Sequence, residues 1–135
     1  MPAIYLPHPI SSINEYGAEG LNAKSDALYN ITKRYLAAGV PLDGIGFQSH
    51  FYVATVPPVE SLRTNMQRFA DLGLQVAVTE LDINLRRRGE LIINDTAEAN
   101  RQQARDYKTI VEGCVKVRQC RGVVSAGQDV ACNFF

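Results

Sequence analysis

The sequence predicts an α/β fold in which strands alternate with helices around a parallel sheet. Three observations lead there. Short strand-like stretches recur, at Ser12-Ile13-Asn14-Glu15-Tyr16, Ile45-Gly46-Phe47-Gln48-Ser49-His50 and the β-branched Gln75-Val76-Ala77-Val78-Thr79-Glu80-Leu81-Asp82-Ile83. Each ends in polar side chains, so one rim of the sheet would collect them, as parallel strands with a shared functional end do. Between the strands, apolar residues return at helical spacing.

The first strand lies near residues 12–16 and presents Asn14, Glu15 and Tyr16. A helix follows with Leu28, Ile31, Tyr35 and Leu36 on one face, and Gly39 stands where it stops. The second strand, near 44–49, delivers Gln48 and His50. Pro57 and Pro58 open the next helix, whose stripe is Leu62, Met66, Phe69 and Leu72 and whose end is Gly73. The third strand, near 75–82, ends in Glu80 and Asp82. Asp95 with Glu98 three residues on resembles a capping box for a last helix carrying Tyr107, Ile110, Val111, Cys114 and Val115. Arg121-Gly122-Val123-Val124 completes the set as a strand near 121–124. The order βαβαβαβ places helices outside a parallel sheet.

Composition narrows the function classes. The chain has 135 residues, 14 basic and 14 acidic side chains and no net charge, which fits one domain and argues against nucleic acid or an anionic membrane as partner. No apolar run is long enough to span a bilayer. The start, Met1-Pro2-Ala3-Ile4-Tyr5-Leu6-Pro7-His8-Pro9, has neither the basic residues nor the unbroken apolar segment of a secretory signal. Cys114, Cys120 and Cys132 are too few for a disulfide scaffold and lack the paired spacing of a zinc site. Neither a metal nor a cofactor is expected.

Several motifs resemble one family. Leu21-Asn22-Ala23-Lys24-Ser25-Asp26-Ala27-Leu28-Tyr29, Gly39-Val40-Pro41-Leu42-Asp43-Gly44-Ile45-Gly46-Phe47-Gln48-Ser49-His50, Asn65-Met66-Gln67-Arg68-Phe69-Ala70-Asp71-Leu72-Gly73 and Val78-Thr79-Glu80-Leu81-Asp82-Ile83 are similar, in order, to the second half of glycoside hydrolase family 10, the endo-β-1,4-xylanases. The likeness covers about residues 13–123, with 1–12 and 124–135 as atypical ends of a single partial catalytic domain. It implies a (β/α)8 barrel of which this chain supplies the last four βα units, a half-barrel.

The resemblance also assigns roles. Glu80 matches the catalytic nucleophile of a retaining mechanism, which forms a glycosyl-enzyme intermediate on xylan or a xylo-oligosaccharide. His50 and Asp82 match the pair that supports it. Gln48, Asn14 and Tyr16 match substrate-binding positions, Tyr16 as a flat ring against a pyranose. Plainer readings stand beside these: a strand-end acid that caps the next helix, a structural histidine, and a core tyrosine. Cys114 and Cys120 match a disulfide, with a reduced pair as the other reading. The resemblance implies an extracellular protein.

Departures from the family pattern carry expectations too. The general acid, a Glu after Asn on the fourth barrel strand, would lie upstream of this chain. Asn14-Glu15 imitates it but aligns with the fifth strand. Gly17 replaces a usual Asn, and the Trp of the eighth strand has no counterpart, since the chain contains no Trp. Val124-Ser125 can be encoded as an intron start, and Leu6 to Ser12 as an intron end, so both ends are expected to be translated intron in a truncated fungal gene product. An incomplete barrel would expose inner-layer residues, expected to be Ile45, Phe47, Val76 and Val78, and self-associate through its open edges. The competing expectation is a non-catalytic xylan-binding or inert half-barrel.

Overall fold

The structure, a computed structural model, describes residues 10–86 and 95–126. The expectations for the extreme ends, Cys132 among them, lie outside these residues. Strands β1 (Ser12–Glu15), β2 (Gly44–Phe47), β3 (His50–Tyr52), β4 (Gln75–Asn84) and β5 (Cys120–Ser125) and helices α1 (Ala23–Ala37), α2 (Val59–Ala70) and α3 (Ala97–Val115) follow in the order β1-α1-β2-β3-α2-β4-α3-β5.

Every strand pairing is parallel. β2 lies between β1 and β4, and β5 flanks the other side of β4. The short β3 was not foreseen. It continues the line of β2 along β4, because the linking residues stay bonded: Glu80 N–H donates to Gln48 O at 3.1 Å and Asp82 N–H to Ser49 O at 3.3 Å.

Local chemistry explains the helix ends. Asn22 caps α1, accepting from Ser25 N–H while the Ser25 hydroxyl accepts from Asn22 N–H, a reciprocal box that sequence reading missed. Pro58 precedes α2, and Gly39 and Gly73 take φ of +75° and +87° after α1 and α2, as their positions foretold. The cap of α3 is corrected by one residue. Thr96 accepts from Ala99 N–H, while Asp95 turns to the Asn100 amide.

All three helices pack on one face of the sheet, in a single core that joins Leu28, Leu62, Met66, Phe69 and Ile110 to Ile45, Phe47, Val76, Val78, Leu81 and Ile83. This corrects the expected inner layer: Ile45, Phe47, Val76 and Val78 are buried beneath the helices, not exposed on the far face. Alternation tells which residues share a face but not which face the helices cover. The far face carries small and polar residues instead, such as Gly46, Ala77 and Thr79, around a shallow depression of about 150 Å³. Two helix stripes are also corrected. Ile31, Tyr35, Val111 and Val115 are exposed, and α1 buries Ser25 and Thr32 beside Leu28.

Candidate active site

A bulge builds the site. Val78 and Leu81 both sit in the core although they stand three positions apart, which strict alternation forbids. Along β5 their partners are Val123 and Ser125, so β4 holds one residue more than its neighbour over this stretch. Thr79 and Glu80 therefore lie together outside the core.

Asn14, on β1, reaches both across the intervening β2. Its amide donates to Glu80 Oε1 at 2.7 Å and accepts from the Thr79 hydroxyl at 2.7 Å. Gly46 makes this crossing possible. A Cβ there would stand 2.6 Å from Asn14 Oδ1 and 2.9 Å from Thr79 Cγ2, so any side chain would close the gap.

His50 approaches Glu80 from β3. The strand register sets it opposite Asp82, with Nδ1 at 2.5 Å from Asp82 Oδ1, and Nε2 lies 3.4 Å from Glu80 Oε2. Each ring nitrogen thus faces a carboxylate, and both can donate only when the ring is cationic. Burial pulls the His50 pKa down, but the Asp82 hydrogen bond and the charges of Asp82 and Glu80 outweigh it, and the net shift is upward. Glu80 thus has the Asn14 amide on one carboxylate oxygen and the His50 ring facing the other.

The neighbouring strand end is built differently. Glu15 accepts from Lys24 Nζ and from Tyr16 N–H, both at 2.9 Å, and these contacts, the lysine's first, lower its pKa. Lys24 also donates to Tyr16 O and stands 3.6 Å from the centre of the Tyr16 ring. A general acid needs its proton at working pH, and Glu15 is held the other way. Tyr16 is 60% exposed, which removes the core reading for it. It borders a cleft of about 510 Å³ with Glu19, His50 and Tyr52.

Gln48 is half-buried, and its backbone joins the strand ends: its N–H donates to Glu15 O at 2.9 Å and its carbonyl accepts from Glu80 N–H. Cys114 and Cys120 form a disulfide with their Cα atoms 5.5 Å apart, tying the end of α3 to β5. The buried Glu19 escaped sequence reading, although its place between Gly17 and Gly20 in a tight loop was a signal. Among the described residues no cluster of three or more potential metal ligands occurs, and no helix is long and apolar enough to cross a membrane.

This geometry has relatives. The model of glycosyl hydrolase family 10 matches residues 5–129. Endo-1,4-beta-xylanase A of Phanerodontia chrysosporium is 43% identical over 111 residues, covering 82% of this chain and 25% of that protein. The Agaricus bisporus endo-1,4-beta-xylanase is 39% identical over 111 residues, covering 82% and 31%. The crystal structure of a family 10 xylanase from Bispora sp. MEY-1 with xylobiose superposes with a TM-score of 0.76 at 34% identity, covering 84% of this chain and 32% of that one. The chain spans about a quarter to a third of the length of these relatives.

Proposed function

Because this chain belongs to glycosyl hydrolase family 10, we propose that it is part of a retaining endo-1,4-β-xylanase, with Glu80 the nucleophile that attacks the anomeric carbon of a xylosyl unit. The observation that carries this reading is the setting of Glu80, with Asn14 on one carboxylate oxygen and His50 facing the other. Such partners on both oxygens hold the carboxylate in one orientation, as an attacking nucleophile requires. Asp82 holds the imidazole in place. Tyr16 offers its exposed ring to a sugar face, and Gln48 and Asn14 border the reacting sugar.

Retention needs a second carboxyl about 5 Å from the first, to protonate the leaving oxygen. Glu15 does not serve, since Lys24 keeps it ionised. The acid comes from the part of the barrel that this chain does not span. The outer edges of β1 and β5, unpaired among the described residues, and a far face of small side chains such as Gly46 and Ala77 support closure against another βα body, a second copy of this chain included. The Cys114–Cys120 bridge supports an oxidising, extracellular home.

The test is an aryl 2-fluoro-xylobioside with a good leaving group, which needs little protonation and traps the glycosyl-enzyme. Intact mass should rise by one fluoroxylobiosyl group, mapped to the peptide containing Glu80. Xylan itself should not be turned over by this chain alone, because losing the acid forfeits about 10² to 10⁴ in rate. Xylan hydrolysis abolished by Glu15→Ala would overturn the assignment of the acid. Xylo-oligosaccharide binding without any adduct would favour a non-catalytic module.

A further inference from the structure

Glu19 is 3% exposed and lies in the loop between β1 and α1. A buried carboxylate is costly unless bonded, and this one is used economically. Its Oε1 accepts two backbone N–H groups from different loops: Gly17 at 3.1 Å, next to Tyr16, and Ser49 at 3.0 Å, next to His50.

Ser49 is fully buried and has φ of +69°, a left-handed conformation that a non-glycine residue holds only when its surroundings enforce it. The left-handed residue at Ser49 ends β2 and starts β3 with His50 opposite Asp82. Glu19 is in turn fixed from α2. The fully buried Asn65 donates to Ala18 O at 2.7 Å and Glu19 O at 2.9 Å, and Arg68 holds the other end of that amide at 2.9 Å. An unbroken series of contacts runs from helix α2 through Glu19 and Ser49 to the ring that faces Glu80.

We propose that Glu19 is a positioning residue: by clamping Ser49 N–H it holds the left-handed turn that sets His50 between Asp82 and Glu80, and through Gly17 it fixes Tyr16 relative to that ring. Glu19 touches no reacting atom. This inference rests on the reading of Glu80 as nucleophile for its catalytic meaning. Its structural content, the placement of His50, is measured independently of any reaction.

The experiment follows the His50 ring by NMR titration in the purified chain, alongside the rate of Glu80 labelling by the fluoroxylobioside. The charged groups facing the ring are Asp82 and Glu80 on β4, with Glu19 beneath the preceding residue and Tyr16 and Tyr52 bordering the same cleft. Two conservative variants separate clamp from charge. Glu19→Gln keeps an oxygen where Oε1 stands and loses the charge, so His50 should titrate above 6.5 as in the parent chain. Glu19→Asp keeps the charge and loses the reach, so the titration should fall toward 6.5 and labelling should slow on the order of 10²-fold, the cost of a misplaced reacting group. Adding Ser49→Gly to Glu19→Asp should restore much of both, because glycine holds positive φ without a clamp. The opposite order, with Gln disruptive and Asp harmless, would overturn the clamp in favour of a charge effect. So would an unmoved His50 in every variant. Should the parent chain fail to label while His50 still follows this pattern, the nucleophile reading fails and the clamp stands.

Discussion

Two strands of this sheet carry a polar residue followed by glutamate, Asn14-Glu15 at the end of β1 and Thr79-Glu80 at the bulge within β4, yet the two sites meet opposite company. Glu15 receives a lysine from α1 and the N–H of its own neighbour, and becomes a structural anion. Glu80 receives an amide from β1 and an imidazole from β3. The motif alone decides little about a carboxylate's chemistry. What decides is which element delivers the partner, and whether that partner is a fixed cation or a group that exchanges protons near neutral pH.

The largest test of this contrast replaces each glutamate in turn. Glu80→Gln should abolish labelling by the activated fluoroxylobioside, a loss on the order of 10⁴-fold or more, as expected when a nucleophile is removed. Glu15→Gln should leave the labelling rate within about fivefold, the scale of one partly exposed ion pair. Mass spectrometry of the labelled peptides reads both. Equal losses would erase the distinction between the two glutamates.

The next test breaks the Glu80 end while sparing the other. Gly46→Ala places a methyl against Asn14 and Thr79 and should destabilise the chain by about 1–3 kcal/mol, the usual cost of overpacking, measured by denaturant unfolding. Labelling of Glu80 should slow with it, since the Asn14 amide is displaced. The Glu15–Lys24 pair shares no atom with that gap and should keep its lowered carboxyl pKa.

How much of this was legible beforehand depends on the kind of signal. β4 was plain because β-branched residues run to its end, and α2 because Pro58 and Gly73 bracket a stripe that is in fact buried. β3 was not. Three residues carry no periodicity, and its start depends on the backbone of Ser49, which a sequence does not display. Glu80, His50 and Asp82 could be listed from motifs, but the bulge that sets Thr79 and Glu80 together exists only in the pairing of β4 with β5. The face of Ile45 and Phe47 was misassigned for a similar reason, since period two is blind to which side the helices take. Glu19 went unread because burial of a charge is a tertiary event.

A smaller effect sharpens the Glu15 side. Lys24→Met should let the Glu15 carboxyl rise toward 4.5, observable by NMR of its side-chain carbon, with a stability loss under about 1 kcal/mol. The Tyr16 ring would keep a packed aliphatic chain and lose the cation above it. A Glu15 titration that does not move would mean that the lysine is not what holds it ionised.

The smallest effect is also the most diagnostic, because the two sites respond to pH with opposite sign. Glu15 has a folded pKa below its ordinary 4.5, so its contribution to stability is present above that value and is lost as pH falls through the lowered one. His50 has a folded pKa above its ordinary 6.5, so its contribution is complete below 6.5 and is lost as pH rises through the raised one. Each contribution should stay under about 1 kcal/mol, since both side chains are partly exposed and screened. The acid limb is shared, because Glu60, Glu98 and Glu112 are lowered by their own basic partners as well. Glu15→Gln should therefore reduce that limb only in part. The limb above pH 6.5 belongs chiefly to His50, the one histidine among the described residues, because the raised Lys116 titrates far above it. Unfolding free energies measured from pH 5 to pH 9 should decline across neutrality in the parent chain and run flat there in His50→Gln. A decline that survives His50→Gln would mean that the ring is not held as a cation between Asp82 and Glu80, and that the two sites differ in shape but not in charge.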